Sequence, residues 1–69
     1  KMEKIVKIEG MSCGHCQKRV EDALNSIAGV EAQVDLNKAQ ANIKASEDVT
    51  DEALIKAVED AGYEVVGID

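Results

Sequence analysis

The stretch Val30-Glu31-Ala32-Gln33-Val34-Asp35-Leu36-Asn37-Lys38-Ala39-Gln40-Ala41-Asn42-Ile43-Lys44-Ala45 decides the fold. Val30, Ala32, Val34 and Leu36 alternate with Glu31, Gln33 and Asp35. Ala39, Ala41, Ile43 and Ala45 alternate in the same way with Gln40, Asn42 and Lys44. A period of two sends successive side chains to opposite faces, so both halves read as half-buried strands. Asn37-Lys38 between them is a tight turn, less diagnostic than Asn-Gly, and the whole reads as a hairpin. Alanine is a weak strand former, so the strand after the turn rests on the alternation alone.

On the N-terminal side of the hairpin, the period changes. Cys16, Val20, Ala23, Leu24 and Ile27 fall on one face of a helix, while Lys18, Arg19, Glu21, Asp22 and Asn25 take the solvated face. Gly29 is the predicted stop. Ahead of this helix, Met2 to Glu9 reads as a strand, with Val6 and Ile8 on one face and Lys7 and Glu9 on the other. Gly10 ends it. On the C-terminal side, Ser46 to Val49 is a polar connection. Thr50 is the expected N-cap, with Asp51 and Glu52 in a first turn where acids suit the helix dipole. Leu54, Ile55, Val58 and Ala61 form the apolar face, and Gly62 is the stop. Tyr63, Val65, Val66 and Ile68 form a short last strand.

The order is β-α-β-β-α-β, two β-α-β halves joined by a hairpin. The expected fold class is α+β: a ferredoxin-like sandwich in one domain spanning residues 1–69, a four-stranded antiparallel sheet with both helices on one face. In that topology the loop after the first strand and the loop before the last lie at one end. Cys13, Cys16 and Tyr63 are therefore expected to be neighbours.

Composition narrows the function. A core drawn from 69 residues is marginal and leaves little room for a deep substrate pocket, which argues against an enzyme. A formal charge of −6 disfavours nucleic acid, because phosphate binding needs a cationic face. That charge could steer the domain towards a basic patch on a partner, although solubility alone also accounts for it. No apolar run approaches the length of a membrane span, so direct membrane insertion is not expected. No signal peptide is visible, and the expected location is cytoplasmic. Lys1 ahead of Met2 reads as an artificial start or as the edge of an excerpt from a longer chain.

Gly10-Met11-Ser12-Cys13-Gly14-His15-Cys16 holds both cysteines. A disulfide closing so short a loop gains little chain entropy, so the pair reads as metal-binding or reactive. Two thiols two residues apart, where a loop runs into a helix, can address one ion. A thiol of pKa ~8.5 is only about 3% thiolate at pH 7. A helix N-terminus and a bound cation both favour the thiolate, so metal uptake should release protons. Soft thiolates suit Cu(I) or Zn(II). Zn(II) normally takes four ligands, whereas two nearly collinear sulfurs satisfy Cu(I), which favours Cu(I) as the bound ion. Lys18 and Arg19 could soften the net negative charge of such a site, but a solvated face explains them equally.

The same seven residues resemble the G-M-x-C-x-x-C motif of the heavy-metal-associated domain family. Ala61-Gly62-Tyr63-Glu64-Val65 is similar to the segment that begins the family's last strand, and Gly29-Val30 and Val34-Asp35-Leu36 fall where the family has similar residues, with one residue fewer between them. The resemblance covers essentially the whole chain. It implies a Cu(I) metallochaperone, or an N-terminal module of a copper-transporting P-type ATPase. Such a domain passes copper to a partner's own C-x-x-C by exchanging thiolates. The implied partners are a copper-transporting P-type ATPase or its metal-binding domains, and a copper-responsive regulator. The metal ligands it implies are Cys13 and Cys16. Met11 would pack under the loop without binding metal. Ser12, Gly14 and His15 would shape the loop, and Tyr63 would stand beside it. Zinc-type members often carry Asp where Ser12 stands, which favours copper. Mercury-binding relatives share the motif. The absence of a linker at either end favours a free chaperone over an ATPase module.

Bland readings stand beside these. Met11 just after a strand is more often core than ligand. His15 in so tight a loop points to solvent more readily than to the ion, although it could tune the thiolates. Tyr63 can close the core edge and shield the ion at once. Cys-Gly-His-Cys is also the active-site string of disulfide isomerases, but those sit on a longer thioredoxin fold with Trp before the first cysteine and a cis-proline facing the pair. This chain has Ser12 there and contains neither Trp nor Pro. A monomer without metal and a copper-bridged homodimer with it are expected, because two-coordinate copper on an exposed loop invites a second molecule's thiolates.

Overall fold

The computed structural model describes residues 2–11 and 14–69. Six elements follow in the expected order: β1 (Met2–Glu9), α1 (Gly14–Asn25), β2 (Val30–Asp35), β3 (Gln40–Ala45), α2 (Asp51–Asp60) and β4 (Glu64–Ile68). The strands form one sheet in the order β2-β3-β1-β4, with every neighbouring pair antiparallel. This is the ferredoxin-like arrangement.

The alternation read from the sequence sets the register. Ala32 faces Ile43 and Val34 faces Ala41 across β2 and β3, and Val6 of β1 pairs with the same Ala41. These inward side chains, with Ile8 and Ala45, meet Val20 and Leu24 of α1 and Leu54 and Val58 of α2 in one aliphatic cluster. Seven of its larger members are essentially sealed from water: Ile8, Leu24, Ile43, Leu54, Val6, Val20 and Val58. The other sheet face carries no helix and leaves Ile5 37% exposed.

Several boundaries differ from expectation. The hairpin loop is longer than a two-residue turn, running from Leu36 to Ala39. Asn37 and Lys38 do hold its central positions, with the Ala39 N–H donating to the Leu36 carbonyl at 3.3 Å. Ala39 closes the loop at φ +53°, so Leu36 and Ala39 lie outside the strands. α1 ends at Asn25, before Ile27 and Gly29. Beyond it the chain tightens, with the Ile27 N–H reaching only as far back as the Leu24 carbonyl. Gly29 instead lies in the turn just before β2. In β4, Val65 pairs with Ile8 but Ile68 pairs with Val6, and a register shift between Lys7 and Ile8 absorbs the extra residue. This bulge leaves Val66 64% exposed, so adjacent Val65 and Val66 do not share the core.

α2 begins as expected. The Thr50 hydroxyl accepts from the Ala53 N–H at 3.2 Å, and Asp51 pairs with Lys4 of β1. Its end is a Schellman motif. The Gly62 N–H donates to the Glu59 carbonyl at 2.9 Å and the Tyr63 N–H to that of Val58 at 3.2 Å. Ala61 is the C-cap rather than part of the apolar face, and Tyr63 precedes β4.

Gly29 sits at φ +86°, and a Cβ added there would lie 2.4 Å from the Ser46 hydroxyl oxygen. The Ser46 N–H donates to the Gly29 carbonyl at 3.0 Å and holds the two segments together. Gly29→Ala is therefore expected to destabilise the fold by about 2 kcal/mol in urea denaturation, from the left-handed backbone and the overlap combined. Adding Ser46→Ala should relieve the overlap and leave the backbone strain. A single variant within about 0.5 kcal/mol of the parent, the range of ordinary surface changes, would contradict this.

Candidate metal site

The loop between β1 and α1 opens at Gly10, whose φ of +101° is a conformation that favours glycine. A Cβ there would be 3.5 Å from Cδ1 of the Tyr63 ring. Tyr63 is held in place by the Schellman motif at the end of α2. The two loops thus lie at one end of the sheet, as the topology predicted. Tyr63 is also half-buried against the core, so its core-edge role holds.

Met11 follows, half-buried and packed on the same core. Ser12 and Cys13 lie outside the described residues. α1 starts at Gly14, so Cys16 falls in its first turn and is half-buried, while Gly14 and His15 are exposed. Cys16 therefore sits at the end of the helix where the dipole favours a thiolate, and no side chain of that turn is acidic. Lys18 and Arg19 are exposed.

The polar face of α1 is where sequence reasoning fell short. Glu21 and Asn25, expected in solvent, grip the edge strand β2 together with Gln17. The Gln17 side-chain amide donates to the Val34 carbonyl at 2.9 Å, and the Val34 N–H donates to the Glu21 carboxylate at 3.1 Å. The Ala32 N–H donates to Asn25 Oδ1 at 2.8 Å, and Asn25 Nδ2 returns a bond to the Ala32 carbonyl at 3.2 Å. The usable signal was a repeat of four, Gln17, Glu21 and Asn25, on one helical line. These side chains satisfy backbone groups that an edge strand would otherwise expose to another chain.

The family model of the heavy-metal-associated domain matches residues 5–64. The chain belongs to the heavy-metal-associated domain family. Among curated relatives, a copper chaperone CopZ of Staphylococcus aureus is 44% identical over 66 residues, covering 93% of this chain and 97% of its own. Among solved structures, a CopZ metallochaperone superposes with a TM-score of 0.90 at 43% identity, covering 94% of this chain and all of its own. A copper binding domain from HMA7, a P-type ATPase, gives a TM-score of 0.87 at 33% identity, with 99% of each chain covered. Heavy-metal-associated domains thus include both carriers and ATPase modules on this one scaffold. Among the described residues, no helix is long and apolar enough to cross a membrane.

Proposed function

We propose that this heavy-metal-associated domain is a Cu(I) metallochaperone, not an enzyme, with Cys13 and Cys16 as the two metal ligands. The observation that carries the reading is the position of Cys16 in the first turn of α1, preceded by the exposed Gly14 and His15. The copper-chaperone names of its 44% identical relatives support the choice of metal. Copper is the cargo. Uptake displaces the thiol protons and forms two Cu–S bonds, with no change of oxidation state. Met11 is engaged with the core, which leaves the cysteines as the soft donors of the loop.

Accessibility is part of the mechanism. A thiolate of a partner's C-x-x-C adds to the ion to form a third Cu–S bond. One bond to this chain then breaks, and a second exchange completes delivery. No free ion is released and no electrons move. The ring of Tyr63 stands beside Gly10 at the start of the loop, while Gly14 and His15 at its end are exposed to an incoming sulfur. The partner that suits this exchange is a copper-transporting P-type ATPase or its metal-binding domains, and the reaction belongs in the cytoplasm. The second reading, a module of such an ATPase, is favoured by the 99% mutual coverage with the HMA7 domain and uses the same ligands.

Anaerobic titration with Cu(I) against a chromophoric chelator, with Zn(II) and Hg(II) in parallel, tests the metal. One tightly held Cu(I) per monomer that Zn(II) does not displace is expected. Preference for Zn(II), or for Hg(II) with weak Cu(I) binding, would keep the scaffold and overturn the copper assignment.

A further inference from the structure

The start of α1 is tied to the sheet through a side chain. Gly14 and His15 are exposed, and the first fully buried residue of the helix is Val20. Between them, one position after Cys16, the half-buried Gln17 reaches across to β2 and donates its amide to the Val34 carbonyl at 2.9 Å. Val34 is itself fixed twice more. Its side chain is in the core, and its N–H is held by Glu21 one turn further along the same helix. Gln17 and Glu21 thus clamp one rigid residue of β2 and set both the rotation and the height of the turn that carries Cys16. Asn25 makes the equivalent grip on Ala32 at the other end of α1, far along the helix from the cysteine loop.

We propose that Gln17 is a positioning residue for the metal site, holding the first turn of α1 so that Cys16 presents its sulfur to the ion in a fixed direction. This rests on the reading of Cys13 and Cys16 as the Cu(I) ligands. Near-collinear two-sulfur coordination tolerates little error in the direction of either sulfur. A helix start released from β2 would let the Cys16 sulfur wander and admit a third donor. The Gln17 side-chain amide is engaged by the Val34 carbonyl, so its effect passes through the backbone of the turn.

The test compares three variants of the full chain. Gln17→Leu keeps the bulk of the side chain and removes the donor. Gln17→Asn keeps an amide but is one methylene too short to reach Val34. Asn25→Ala removes the grip at the far end of α1 and serves as the control for stability. Both Gln17 variants are expected to lower Cu(I) affinity about tenfold, the lower end of what outer partners of metal ligands contribute. They should also weaken the near-edge X-ray absorption feature of two-coordinate Cu(I) in the presence of excess small thiol. Asn25→Ala should lower the melting temperature at least as much, yet bind Cu(I) like the parent with an unchanged spectrum. The proposal is overturned if either Gln17 variant keeps parental affinity and spectrum, or if Asn25→Ala loses affinity in the same proportion to its lost stability. If the parent's Cu(I) binding proves independent of the cysteines, the underlying metal reading falls too, and that result is distinct from either of the others.

Discussion

Replacing Cys16 with serine is expected to lower Cu(I) affinity by far more than ~100-fold, since ~100-fold is the upper end of what a residue merely supporting a ligand costs. A two-coordinate site that loses one sulfur keeps half its bonds. The serine hydroxyl, a hard and un-ionised donor at neutral pH, does not replace a thiolate on a soft ion. Cys13→Ser should behave in the same way. Met11→Leu should not, because the methionine is packed on the core and a similar apolar volume serves there. His15→Ala should change affinity little, since its exposed ring is not needed to complete a two-sulfur site. Competition against a chromophoric chelator under anaerobic conditions measures all four. Parental affinity in either cysteine variant would remove the proposed ligand set. A loss with His15→Ala as large as with Cys16→Ser would instead argue for a third ligand.

Most of the scaffold was legible because its signals are local. Val30 to Ala45 alternates cleanly, and Thr50 with Asp51 and Glu52 is chemistry that only a helix start uses well. What escaped depends on which elements become neighbours. Glu21 and Asn25 look like any solvated helix face until the strand order makes β2 an edge, and only then do they acquire backbone groups to satisfy. The bulge in β4 is similar. Val65-Val66 reads as a continuous apolar run, and only pairing with Ile8 and Val6 shows that one of the two valines must be expelled. Gly29 was correctly marked as special but for the wrong element, because its positive φ serves the approach to Ser46 rather than the end of α1. For the candidate site, the sequence placed the loop, the helix start and Tyr63 at one end. It did not give Gln17 a role, because the four-residue repeat it shares with Glu21 and Asn25 has nothing to grip until β2 is known to lie beside α1.

The largest effect on stability is expected from Leu24→Ala, and it doubles as a probe of the metal loop. Leu24 has no exposed surface and lies on α1, the helix that carries Cys16. Emptying that position costs about 3 kcal/mol, the lost burial plus the cavity left behind. A single core in so small a domain supplies only about 3–5 kcal/mol in total. The variant should therefore be largely unfolded near physiological temperature, with its melting point lowered by about 12–24 °C. A ligand held only by the folded chain adds stability by mass action, about 2.7 kcal/mol at a free concentration one hundred times its dissociation constant. Buffered Cu(I) should thus restore most of the helical circular dichroism. The extent of rescue carries its own information, because the Cys-Gly-His-Cys string is present in the unfolded chain as well. Full rescue would mean that α1's N-terminus makes the dithiol a better ligand than the bare string. Binding without rescue would mean that the string alone binds as tightly, and that the fold serves delivery to a partner rather than affinity. A Leu24→Ala chain that melts within a few degrees of the parent would refute the burial argument itself.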